Sequence, residues 1–180
     1  MNMRKILLIN FLLISILSYS QKMLTKTGTI FFDGSVPLFE GVRAKNELVT
    51  CVFNTNNGQL ASLALLKAFR FKIALMEEHF NENYVESDKY PKSILRGKLV
   101  GFEISDLNDK PKEYNLKGNI ELHGVKKDVL IKVFLTKTNN GIEIVSDFSL
   151  NASDFNIKIP AFTMNKMTDA IKVKVEFTVI

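Results

Sequence analysis

The segment Ile171-Lys172-Val173-Lys174-Val175-Glu176-Phe177-Thr178-Val179 carries an apolar residue at every odd position and a polar one at every even position. On a pleated strand successive side chains point to opposite faces, so this pattern describes a strand with one face in a core and the other in water. Runs of similar character occur at Met23 to Phe32, Glu47 to Asn54, Gln59 to Phe69, Ile94 to Glu103, Tyr114 to His123, Lys127 to Lys137 and Ile142 to Asn151, making eight expected strands. Two connections, Thr55-Asn56-Asn57-Gly58 and Thr138-Asn139-Asn140-Gly141, end in Asn-Gly, a pair that tolerates the positive φ of a type I′ hairpin turn. The strands flanking each are expected to pair antiparallel.

Only Lys72 to Asn81 reads as a helix, with Ile73, Met76 and Phe80 on one side. Residues 33–46, with Gly34, Pro37 and Gly41, read as a long loop, and residues 152–169 as a second irregular excursion. Antiparallel strands joined mostly by hairpins expose their edges unless the sheet closes or folds into a sandwich. Closure at about eight strands leaves an interior filled by side chains or just wide enough for one ligand. Alternation by itself leaves barrel and sandwich equally open.

Residues 1–20 have Arg4 and Lys5, then an apolar stretch from Ile6 to Leu17 broken by Asn10 and Ser15, then small residues at Ser18 and Ser20. This is the layout of a secretory signal peptide, and the stretch is shorter than the ~20 residues a spanning helix needs. Residues 1–20 are therefore expected to be removed, leaving one domain over 21–180 in the periplasm or outside the cell, with no transmembrane segment. That mature chain keeps all 19 acidic residues and loses only Arg4 and Lys5 of the 24 basic ones, a net of +3. So mild a charge, with no basic cluster beyond Lys126-Lys127, argues against nucleic acid as a partner. The single cysteine, Cys51, shares a strand face with Val49 and Phe53 and is expected to be a buried apolar thiol.

The two histidines, His79 and His123, have no second Cys or His at a chelating interval, so a hydrogen-bonding, loop-positioning role is expected for both. There is no Gly-rich phosphate loop, no Gly-x-Ser-x-Gly elbow and no paired-carboxylate signature. Glu77-Glu78 and Glu82 stand at helix spacing and read as a solvated face. No catalytic residue, metal or cofactor is expected, and the chain does not read as an enzyme.

Phenylalanine is the unusual resource: fourteen in the chain, and no tryptophan. Phe53, Phe69, Phe71, Phe102, Phe134, Phe148 and Phe177 fall within or at the ends of expected strands. Ordinary core packing accounts for most such residues. A barrel lined by several of them would be an apolar pocket, in which burying hydrocarbon is worth about 0.8 kcal/mol per CH₂ before the costs of binding.

Two ordered segments carry a family resemblance. His79-Phe80 is followed by Lys89-Tyr90-Pro91 and a strand from Ser93 to Val100, and Gly118-Asn119-Ile120-Glu121-Leu122-His123-Gly124-Val125-Lys126-Lys127 follows later. Together they resemble the YceI-like family of exported, lipocalin-like proteins that hold long apolar molecules such as polyisoprenoids. Near the end, where that family tends to carry Arg and then Asp-Phe-Gly-Ile, this chain has Ser153-Asp154-Phe155-Asn156-Ile157. Asn156 is able to take the left-handed backbone that Gly adopts freely, whereas a head-group contact from the absent arginine does not carry over.

The resemblance implies an eight-stranded antiparallel β-barrel with one short helix and an apolar cavity. It implies a lipid-binding function, the ligand a polyisoprenoid, an isoprenoid quinone or a fatty-acyl compound, with a homodimer left open. Residues expected to line the cavity are Phe53, Leu63, Leu65, Phe134, Phe148 and Phe177, an assignment that a one-residue slip of register would invert. The competing reading is a non-enzymatic interaction partner with a filled barrel, acting through residues 33–46 or the helix face near Glu77 to Asn83.

Overall fold

A computed structural model of the chain describes residues 22–36, 41–159 and 167–180. The expected signal peptide over 1–20 and parts of the two expected excursions lie outside the described residues.

The strands are β1 (Lys22–Ser35), β2 (Arg43–Asn54), β3 (Gln59–Leu65), β4 (Arg70–Phe71), β5 (Lys92–Leu99), β6 (Lys112–Leu122), β7 (Val125–Thr138), β8 (Gly141–Asn151) and β9 (Met167–Val179). The short helix α1 (Ala74–His79) runs on into a wider π-helical turn over Phe80–Tyr84. Every pairing is antiparallel in the order β1-β2-β3-β5-β6-β7-β8-β9, and β9 returns to β1. The sheet is thus a closed eight-stranded barrel, which removes the exposed edges that a sandwich would keep.

The shared face of β2 is in the core as its alternation requires: Val49, Cys51 and Phe53 are fully buried. Burial pushes the Cys51 thiol up to about 12, because the interior disfavours a thiolate.

Three local expectations need correction. First, β1 runs to Ser35 and β2 already begins at Arg43. Arg43-Ala44-Lys45-Asn46 has little strand propensity of its own, but it is held between Phe31–Asp33 of β1 and Arg70–Phe71 of β4.

Second, the run Gln59 to Phe69 is not one strand. It leaves the sheet after Leu65 through a tight turn at Leu66–Ala68 and returns as β4 along the other half of β2. At the gap this opens, fully buried Asn46 donates from Nδ2 to the Leu65 carbonyl (3.0 Å) and accepts from the Leu48 amide at Oδ1 (2.9 Å).

Third, neither Asn-Gly connection is a type I′ turn. Gly58 (φ 69) and Gly141 (φ 135) take the positive φ, but their preceding asparagines do not. The turn with positive φ at both central residues is His123 (φ 51) and Gly124 (φ 73), between the paired residues Leu122 and Val125.

Candidate functional site

The barrel interior is divided in two. In one half Phe53, Leu60, Leu99, Phe102, Tyr114, Leu116, Leu135, Ile144, Phe177 and Val179 are buried and fill the space. Phe53 and Phe102 pack edge to face at 5.2 Å, and Gly28 supplies the room for Phe177: a Cβ there would fall 2.3 Å from the ring. In the other half a cavity of about 430 Å³ opens. Its β3 wall is Ser62 and Ala64; Ile30, Leu95, Ile120, Phe148, Val173 and Val175 continue it around the barrel.

The far side is closed by aromatics from four separate elements. Phe32 on β1, Phe69 before β4, Phe71 on β4 and Phe80 after α1 form a cluster with ring centroids 5.2–5.7 Å apart. The helix face read from the sequence, Ile73, Met76 and Phe80, lies on this cavity. Glu77, expected to be solvated, instead ties α1 to β4. Its Oε1 accepts from Arg70 Nη1 at 2.6 Å and its Oε2 from the Phe71 amide at 3.1 Å. Leu75, 56% exposed, and the exposed His79 mark the solvent side of the rim.

Of the six residues expected to line the cavity, Phe148 is on its wall. Phe53 and Phe177 point inward but belong to the filled half. Leu63, Leu65 and Phe134 are a correction: they face outward, Leu65 being 50% and Phe134 39% exposed. On β3 both faces carry apolar residues, so alternation by itself does not choose which turns inward. On β3 the inward face is Leu60, Ser62 and Ala64, the last two small residues that leave the cavity empty; on β7 Ile131, Val133 and Leu135 face in, and Phe134 shares its outward face with Lys132 and Thr136. Phe32, Phe69, Phe71 and Phe80 were the lining residues missed; their sequence signal was the helix face of Phe80 together with Phe69 and Phe71 just before it.

His123 holds the loops around this end. Its Nδ1 donates to the Phe155 carbonyl at 3.0 Å, its Nε2 lies 2.7 Å from Glu86 Oε2, and its ring meets Tyr90 at 4.6 Å. Phe155 is buried and lines the cavity, and Asn156 behind it takes the left-handed φ of 58°. Ser153, where the resemblance would place arginine, is bound to Asp169 through its amide (2.8 Å) and hydroxyl (2.6 Å). Among the described residues no group of three or more His, Cys, Asp or Glu is placed to hold a metal ion, and no helix is long and apolar enough to cross a membrane.

A closed eight-stranded antiparallel barrel with an apolar cavity at one end is a lipocalin-like architecture. The sequence profile of the YceI-like domain matches residues 24–179, and the chain belongs to that family. Among solved structures, a polyisoprenoid binding domain from Saccharophagus degradans, implicated in plant cell wall breakdown, superposes with a TM-score of 0.73 at 12% identity, covering 88% of this chain and 97% of that one. BcnA of Burkholderia cenocepacia gives 0.67 at 11% identity, with 82% and 94% covered. The YCEI protein of Campylobacter jejuni gives 0.61 at 15% identity, with 79% and 86% covered. At such identities these likenesses establish the fold. No curated protein matches the sequence.

Proposed function

We propose that this protein is an exported lipid carrier that holds one long apolar molecule, a polyisoprenoid, quinone or fatty-acyl compound, inside its barrel. The observation that carries this reading is the cavity. A small barrel packs its interior to near-crystalline density unless space is being kept, and here one half is packed while the other keeps about 430 Å³. An apolar cavity of about 150 Å³ accommodates benzene, or roughly 25 Å³ per carbon, so about seventeen carbons would fit. At about 0.8 kcal/mol per CH₂, that length offsets the ordering cost of association without any ion pair. A longer chain would extend past the rim at Leu75. Family membership and the likeness to a polyisoprenoid binding domain support the same ligand class. The basic-apolar-small order of residues 1–20 supports export.

The test is mass spectrometry of the protein purified from its native host without detergent, intact and then after organic extraction. A stoichiometric apolar compound on a chain beginning at Gln21 is expected. An empty protein that also refuses added isoprenoids would overturn the carrier reading, and a chain retaining residues 1–20 would overturn export by cleavage.

A further inference from the structure

Ser62 is one of the few polar side chains on the cavity wall, with Tyr84, Ser93, Asn151 and the exposed His79. It is only 7% exposed, it lines the cavity, and among the described residues its hydroxyl has no hydrogen-bond partner. The next inward residue of β3 toward the hairpin is Leu60, which belongs to the filled half, so Ser62 stands where the cavity meets its floor. A second hydroxyl shares this wall. Ser93 on β5 pairs with Ala64, and Leu95 pairs with Ser62, so Ser93 is the diagonal neighbour of Ser62. Diagonal residues on an antiparallel pair are about 7–8 Å apart, which leaves room for one oxygen between the two hydroxyls. Ser93 Oγ already donates to the Glu121 carbonyl at 3.1 Å, so toward the cavity it offers a lone pair, while Ser62 offers both a donor and acceptors.

The charges point the same way. Among the described residues that line the cavity there is no Lys, Arg, Asp or Glu. A carboxylate or phosphate drawn inside would find no counter-ion and would lose its hydration uncompensated.

We infer that the ligand is an uncharged lipid with a single terminal oxygen, an alcohol or a carbonyl, and that it enters oxygen first. An alcohol's oxygen is held at the floor by Ser62 and donates to Ser93, a carbonyl's is held by Ser62 alone, and the hydrocarbon runs outward past the Phe32, Phe69, Phe71 and Phe80 cluster. This rests on the carrier reading and names its ligand class and orientation.

The experiment is displacement of the neutral dye N-phenyl-1-naphthylamine from the mature protein and from Ser62→Ala and Ser62→Thr variants. The competitors are farnesol, the hydrocarbon farnesene and palmitate at neutral pH. Farnesol is expected to bind about five-fold more tightly than farnesene, the factor a neutral hydrogen bond supplies. Ser62→Ala should erase that difference while leaving farnesene unchanged, and Ser62→Thr should retain it. Palmitate should be the weakest of the three. Equal binding of farnesol and farnesene, a preference that survives in Ser62→Ala, or palmitate binding best would overturn the inference and leave the carrier reading standing. Failure of all three competitors on the parent protein would overturn both.

Discussion

His123 and Glu86 lie 37 residues apart in the chain and meet at 2.7 Å between Nε2 and Oε2. The contact joins the β6–β7 hairpin to the segment after α1, and Glu86 makes it from a left-handed backbone, φ 44°. Outside Gly and Asn such a conformation is uncommon and costs about 1–2 kcal/mol, so the contact holds a residue that would otherwise relax. His123→Ala removes this contact and the bond to the Phe155 carbonyl together. A loss of about 2 kcal/mol is expected in urea unfolding, with faster proteolytic cutting near residues 84–90. An unchanged midpoint would show that the contacts of the His123 ring do not hold this end of the barrel together.

Gly124 is bound to glycine for two separable reasons. Its φ is +73°, and a Cβ would lie 2.6 Å from Tyr90 Cε1. Gly124→Ala is expected to cost about 2 kcal/mol, roughly half from the left-handed backbone and half from displacing the Tyr90 ring. In a Tyr90→Ala background the same substitution should cost only the backbone part. A double-mutant cycle measures the difference, and perfect additivity would refute the ring contact.

The facing of β3 and β9 is testable at the cavity itself. Ala64→Phe projects a ring into empty space, so the protein should fold with its melting temperature within a few degrees of the parent's and lose most lipid uptake. Val175, 6% exposed and on the opposite wall, carries the stricter test. Val175→Asp places a carboxylate with no counter-ion in an apolar interior and should unfold the protein or abolish uptake. A Val175→Asp protein of parental stability that still binds lipid would mean that Val175 faces water.

Cys51 makes stability depend on alkaline pH. Burial lifts its thiol from an ordinary value of 9.0 to about 12, so the folded state keeps a proton that the unfolded chain gives up in between. The contribution is fully present below about pH 9 and is lost as the pH rises toward 12, with a slope of up to about 1.4 kcal/mol per pH unit. Cys51→Val should flatten that part of the stability curve. The native thiol should react with a thiol reagent at neutral pH only as fast as the protein unfolds; immediate stoichiometric labelling would contradict its burial.

The period of two in the chain determined which residues form strands and which of them share a face. It placed Val49, Cys51 and Phe53 together, while a separate helical spacing put Ile73, Met76 and Phe80 on one side of a helix. These are local properties, set by the backbone geometry of a few consecutive residues. Which face turns inward was decided by tertiary structure wherever both faces are apolar. On β3, Leu63 and Leu65 are larger than Ser62 and Ala64, yet the smaller pair faces in, because the barrel keeps a cavity there. The extended ends of β1 and β2, the separate strand β4 and the closure of β9 onto β1 likewise depend on partners far along the chain. The register breaks around Gly28 show why alternation does not carry across a whole strand: each shift moves every following side chain to the other face. Ser62 reads in the sequence as one small polar residue among leucines and alanines, and only its burial beside empty space makes it a candidate ligand contact.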